Sequence, residues 1–245
     1  MSETITLLAG DTEFDVYVAR PAGEPRGGVV LIPEIWGLVD QIRDVADRFA
    51  AEGWLVAAAD ILSQAGVEPA LGAELFALLN SEDEEARTAA QPRMREALAA
   101  AKAPEYSAWA TRALRTTVDL LEASPGVGAH VAVVGFCFGG TYAFLLAAAD
   151  DRIRAAVPFY GTAPEPERIA DIRCPVLALY GQHDPALIDA LPSVRAEMAA
   201  AGVDFEAVVY PDASHAFFND RGRRYRAEDA ADAWARTLRF LETHV

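Results

Sequence analysis

Residues 131–144 read VAVVGFCFGGTYAF. Small and β-branched apolar residues run as far as Phe136, a pattern that suits a buried strand. Gly135, Cys137 and Gly139 then form G-x-C-x-G, and a small-residue helical pattern follows. That spacing predicts a sharp strand-to-helix turn. Its glycines keep Cβ atoms out of the way and push the central side chain up in a strained backbone position. The helix that follows offers free N–H groups and a partial positive end, which favour a thiolate and an oxyanion. Cys137 is therefore a candidate nucleophile. The plainer alternative is a small buried hydrophobe, as free cysteines commonly are.

Working outward, "TEFDVYVARP" (12–21) alternates and stops at a proline, as a strand does. "GGVVLIPE" (27–34) is a continuous apolar run suited to a central parallel strand. "LVAAAD", "HVAVVGF", "IRAAVPFYG", "CPVLALYGQHD" and "FEAVVYPDASH" are further strand candidates. Val39, Ile42, Val45, Ala46 and Phe49 stand at helical spacing and end at Gly53. "GGTYAFLLAAA", "ALIDALPSVRAEMAAAG" and "RAEDAADAWARTLRFLETH" are also helical in pattern. Strands alternating with such helices predict an α/β fold, a mainly parallel sheet with helices on both faces. There is no internal repeat and no linker, so residues 1–245 read as one domain. A stretch at about 61–105 does not fit the repeat. It reads either as a helical lid or side wall, or as a connection with only a packing role. Within it, "NSEDEEAR" (80–87) is a solvated helix start with Ser81 as its cap.

The chain has 245 residues, 52% hydrophobic, 24% charged and 9% aromatic, enough to bury a full core. Its net charge of −16 argues against nucleic acid and anionic membranes as partners. The N-terminus shows no signal peptide, and no apolar run reaches the length of a membrane span. Two cysteines far apart make no disulfide framework, so a reducing, cytoplasmic location is expected.

Two more strand ends carry chemistry. "ALYGQHDP" places Asp184 after a strand, and "VYPDASHAFF" places His215 after the next. A lone Asp there is usually a turn residue, and a lone His usually surface or core. Nucleophile, acid and histidine in that order at three strand ends are much harder to obtain by accident. Asp184 would fix the imidazole tautomer and stabilise its cation. His183, next to Asp184, points elsewhere, and Cys174, before Pro175, belongs to the core. Glu34 ends an apolar strand beside the elbow, as a further candidate or as a simple capping carboxylate.

"PEIWGL", "GFCFGG", "YGQHD" and "SHAFFN", in that order and spacing, resemble the dienelactone hydrolase family over nearly the full length. The resemblance implies an α/β-hydrolase fold and cleavage of small esters or lactones through a Cys137–His215–Asp184 triad and an acyl-cysteine intermediate. It implies that Cys137 rests as a neutral thiol near Glu34, which takes its proton when substrate binds. It also implies an oxyanion hole from the N–H groups of Phe138 and Ile35, the former also expected from the elbow rule. No cofactor or metal is expected. Dienelactone-specific members are similar in carrying two arginines that grip the substrate carboxylate. Here Gln64 and Asn219 stand in those places, with Arg221 close to the second. Neutral or differently placed acyl groups are therefore expected, unless Arg221 or Arg87 reaches in. Trp36, Gln64, Phe217 and Arg221 are the candidate substrate-binding positions. Broad carboxylesterase or thioesterase activity is the alternative, ahead of a binding module that has lost chemistry. A redox role for Cys137 lacks a nearby resolving cysteine. Monomer and homodimer both stay open.

Overall fold

The computed structural model describes residues 1–245. Eight strands form one sheet: β1 (Ser2–Ala9), β2 (Thr12–Ala19), β3 (Gly28–Ile32), β4 (Leu55–Ala59), β5 (Val131–Phe136), β6 (Ile153–Phe159), β7 (Val176–Gly181) and β8 (Phe205–Tyr210). Their order across the sheet is β1-β2-β4-β3-β5-β6-β7-β8. β3 to β8 pair in parallel, while β2 is antiparallel to both β1 and β4. Strand order reverses about β3, so the loops after β3 and β5 leave in opposite directions and open a crevice at their carboxyl ends.

The pleat divides the core into two layers. Val30 and Ile32 of β3 and Val131 and Val133 of β5 face one cluster; Val29, Leu31, Ala132 and Val134 face the other. The first is covered by α4 (Pro104–Glu122), α5 (Phe138–Ala149) and α7 (Pro185–Ala200), the second by α1 (Asp40–Ala51) and α8 (Ala227–His244). In α1, Ile42, Val45, Ala46 and Phe49 are buried, which is the face their spacing predicts.

Three features depart from the expectations. The first strand is β1, an edge strand in which Ile5, Leu7 and Ala9 alternate inwards against the core while the other residues are exposed; it pairs with β2. The irregular segment holds α2 (Pro69–Leu79) and α3 (Glu84–Ala97), bracketed by short 3₁₀ turns, and the long α4 follows at once. The cap of α3 is Asp83, not Ser81: Asp83 accepts from the Glu85 N–H at 2.9 Å, and Ser81 Oγ accepts from the Asp83 N–H one turn earlier. α2 is held tightly against the crevice. A Cβ on Gly72 would lie 1.8 Å from the Trp36 carbonyl oxygen, so only glycine allows this approach.

Candidate active site

The elbow has the geometry that its sequence predicts. Cys137 sits at φ 56°, ψ −113° between β5 and α5, a conformation costing about 1–3 kcal/mol for a non-glycine residue. A Cβ on Gly135 would lie 2.0 Å from the Gly139 carbonyl oxygen, and one on Gly139 2.2 Å from that of Ile32. The turn cannot close with larger residues at either position.

Other strand ends deliver the remaining groups to the same edge. Glu34 follows β3, Tyr160 follows β6, Asp184 follows β7 and His215 follows β8. His215 Nδ1 lies 2.5 Å from Asp184 Oδ2. An ionised carboxylate only accepts, so Nδ1 carries the proton and Nε2 is left free. Ala216 takes φ 64° directly after the histidine, a second strained residue at this edge.

Burial pushes the Cys137 thiol up to about 12, and the nearby Glu34 carboxylate adds to the shift. The backbone N–H groups of Phe138 and Ile35 lie against the sulfur and pull the other way. The thiol is therefore neutral at pH 7. No hydrogen bond joins it to His215.

Glu34 is 5% exposed and makes no ion pair. Its Oε2 accepts from Trp36 Nε1 at 2.8 Å and from Asn219 Nδ2 at 2.9 Å, and its Oε1 accepts from the Tyr160 hydroxyl at 2.9 Å. All three donors are neutral. Tyr160 is a residue that sequence reasoning passed over. It is fully buried, stands at φ 38°, and its ring lies 5.0 Å from that of His215. Burial, then the adjacent Glu34 charge, hold its phenol well above its ordinary pKa, so it stays an O–H donor. The one signal in the sequence was its place in "FYG", at the end of a strand.

Cys137, Glu34, Ile35, Trp36, His215 and Asn219 line one cavity of about 640 Å³. Its other wall comes from α2, α3 and the turn between them, through Phe76, Leu79, Asn80, Arg87, Gln91 and Met94. α2 and α3 thus line this side of the cavity. Arg223 and Arg224, in the loop after His215, complete the lining.

Three substrate-binding expectations require correction. Gln64 is exposed, donates to the Glu13 carbonyl at 3.1 Å and does not line the cavity; the 3₁₀ turn after β4 carries it away. Phe217 is fully buried and packs on Tyr160 and Tyr210, so it supports the site from behind. Arg221 lines a smaller neighbouring cleft of about 250 Å³, beyond Trp36, Phe76 and Asn219. Trp36 does face the cavity, with its indole N–H on Glu34. His183 is exposed and Cys174 is buried in the core, as expected.

The profile of the Dienelactone hydrolase family matches residues 14–245. The chain belongs to the dienelactone hydrolase family. Similar proteins named "Putative carboxymethylenebutenolidase" occur in Saccharolobus solfataricus, at 32% identity over 98% of both chains, and in Escherichia coli K12, at 30% identity over 93% of this chain and 82% of that one. Among solved structures, "Putative Dienelactone Hydrolase" from Klebsiella pneumoniae superposes with a TM-score of 0.84 at 28% identity, covering 100% of this chain and 99% of that one. A dienelactone hydrolase-like promiscuous phosphotriesterase from metagenomic libraries shares the fold, with a TM-score of 0.76 at 23% identity over 100% and 98% of the chains. The chain is thus a hydrolase of the α/β-hydrolase fold acting on a small molecule. No helix is long and apolar enough to cross a membrane.

Proposed function

We propose that this dienelactone hydrolase family member cleaves small carboxylic esters or lactones through Cys137, with His215 and Asp184 completing a triad and Glu34 activating the thiol. The observation that carries the proposal is the half-buried thiol held beside a carboxylate that has no cation. In the resting enzyme the Cys137 proton stays on sulfur, which protects the residue from oxidation. Substrate entry turns Glu34 towards Sγ, and Glu34 takes the proton. The thiolate then attacks the carbonyl carbon, forming a C–S bond and moving the π electrons onto oxygen. The N–H groups of Phe138 and Ile35 hold that oxyanion. Collapse expels the alkoxide, which takes the proton held on Glu34, and leaves an acyl-cysteine. Water, deprotonated by His215, attacks the thioester; the acid departs and the thiol is restored. Asp184 holds His215 in the required tautomer and stabilises its cation.

The test uses 4-nitrophenyl acetate. One equivalent of iodoacetamide on Cys137, introduced at pH 9, is expected to remove all turnover. Cys137→Ala is expected to lose at least ~10³-fold in kcat while keeping its thermal midpoint. His215→Ala is expected to accumulate an adduct of acyl mass on Cys137. Retention of most activity in Cys137→Ala would sink the assignment.

A further inference from the structure

We infer that the cleft beyond Trp36 is a second compartment of the substrate site, and that Phe76 is the movable partition between it and the cavity of the thiol. Its occupant is an uncharged tail of the ester, an alkyl or aryl group with a neutral hydrogen-bonding group towards its far end. This inference rests on the ester-hydrolase reading above.

The cleft holds about 250 Å³ between the first turn of α1 and the start of α2. Trp36, Phe76 and Asn219 line both this cleft and the cavity that contains Cys137, so these three side chains form the wall between the two. Leu38, Pro69 and Ala73 add apolar surface on the cleft side. Its charged residues Asp40 and Arg221 are exposed, which puts them towards solvent. Arg43 is already engaged: its Nε donates to the Leu38 carbonyl at 3.2 Å, and its guanidinium lies over the Tyr17 ring.

Gln41 sets this cleft apart from a packing gap. It is 8% exposed and lines the cleft, yet its side-chain amide makes no hydrogen bond within the protein. A buried amide without a partner is costly, and native structures keep few of them. A hydroxyl or carbonyl at the end of a bound tail completes its bonding, while the apolar walls take the rest of the tail.

The three wall residues are not held alike. Trp36 Nε1 and Asn219 Nδ2 both donate to Glu34 Oε2, at 2.8 and 2.9 Å. The backbone here is fixed as well, because Gly72 brings α2 against the Trp36 carbonyl. Phe76 stands one turn after Gly72 on the same face of α2. Its ring is only half-buried and meets Trp36 edge-on, with centroids 5.2 Å apart. Turning that ring to another rotamer breaks no hydrogen bond and leaves α2 in place. A tail that pushes it aside passes from the cavity into the cleft without disturbing Glu34.

The experiment measures kcat/KM for 4-nitrophenyl alkanoates from acetate to decanoate, which place the tail on the acyl group. A second series, n-alkyl acetates from methyl to decyl, places it on the alcohol. Each value is taken relative to the shortest ester, so general damage to the enzyme cancels. In one of the two series the ratio is expected to rise as far as eight carbons, by up to about fourfold per methylene. Ala73→Trp fills the cleft from an exposed helical position. It is expected to lower the eight-carbon ratio by about 10- to 50-fold, the worth of two or three methylenes. Phe76→Ala removes the ring that must turn and is expected to raise the ratio by about 3- to 10-fold, a gain that Ala73→Trp cancels. Gln41→Leu is expected to lower the preference for an ω-hydroxy tail over a plain one by about 5- to 10-fold. Unchanged ratios in Ala73→Trp overturn the inference. So does a gain in Phe76→Ala that Ala73→Trp leaves intact, since the added room then lies in the cavity alone. Failure to turn over any ester, the shortest included, would instead refute the ester-hydrolase reading. Octan-1-ol then judges the cleft by itself, through the NMR signal of the Trp36 indole N–H. A shift that Ala73→Trp abolishes upholds the compartment; no shift, or one that Ala73→Trp leaves in place, removes it.

Discussion

The two ends of α5 each hold a buried carboxylate, and they treat it in opposite ways. At the amino end, beside Cys137, Glu34 is surrounded by an indole, an amide and a phenol, with no cation. At the carboxyl end, Asp150 is 3% exposed and meets Arg152 through Nε at 2.8 Å and Nη2 at 2.6 Å. Arg152 also bridges to Asp119 and Glu122. One helix thus joins a carboxylate locked into an ion network to one held only by neutral donors. A fork of two charge-assisted hydrogen bonds fixes a group in place; neutral hydrogen bonds can be exchanged at small net cost. On the proposed mechanism, the difference separates a group that stabilises the fold from one that moves towards a thiol.

The sharpest way to break the comparison is Glu34→Gln. It keeps the shape and removes the proton acceptor. The expected loss in kcat is ~10²–10⁴-fold, with Cys137 still present as a free thiol. An unchanged kcat would mean that His215 deprotonates the thiol directly and that Glu34, like Asp150, is structural. The state of the resting thiol is a second check. With its pKa pushed up to about 12, Cys137 is expected to react with iodoacetamide about tenfold faster per pH unit from pH 7 to 10, read by mapping the alkylated peptide. A plateau between pH 6 and 8 would reveal a preformed thiolate. Tyr160→Phe should have a milder effect. It removes one of three donors to Glu34 and leaves the ring packing in place, so kcat is expected to fall about tenfold with little change in KM. Equal losses in Tyr160→Phe and Glu34→Gln would show that the phenol itself takes part in the chemistry.

The amino end of α5 was largely legible in the sequence, because local backbone rules write it there. Gly135 and Gly139 are demanded by contacts as short as 2.0 Å, and a strand followed by Asp184 or His215 places that group at the same edge. Glu34 was readable as a strand-end acid, but its partners were not. Tyr160 and Asn219 lie 126 and 185 residues from it in the chain, and no local pattern reports such a meeting. The cavity wall was less legible still. Gln64 and Arg221 stand near the cavity in the chain, but one short 3₁₀ turn and one loop carry them out of its lining, which Arg223 joins while donating to the Ser81 carbonyl. β1 escaped notice for a different reason. It is an edge strand whose inward alternation of Ile5, Leu7 and Ala9 is short, only partly buried and masked in the sequence by the exposed Leu8.

The carboxyl end supplies the smallest and most specific test. Burial alone would raise the Asp150 carboxyl, but the hydrogen bonds from Arg152 outweigh it and hold the group below the usual carboxylate range. A depressed folded pKa gives stability that is fully present above the unfolded value near 4. That stability is lost as the pH falls through the folded value. Asp150→Asn is therefore expected to destabilise the protein by about 1–3 kcal/mol at pH 7, measured by urea unfolding, with the gap to wild type closing below pH 4. Arg115 separates contact from contribution. Its Nε lies 3.4 Å from Asp150 Oδ2, but its side chain is 56% exposed. Solvent screens such a pair, so Arg115→Ala is expected to cost no more than about 0.5 kcal/mol. A cost for Arg115→Ala as large as that for Asp150→Asn would show that the ion network at this end acts as one unit. The contrast with Glu34 would then rest on the number of cations gathered around a carboxylate, and the paired fork of Arg152 would lose its special place.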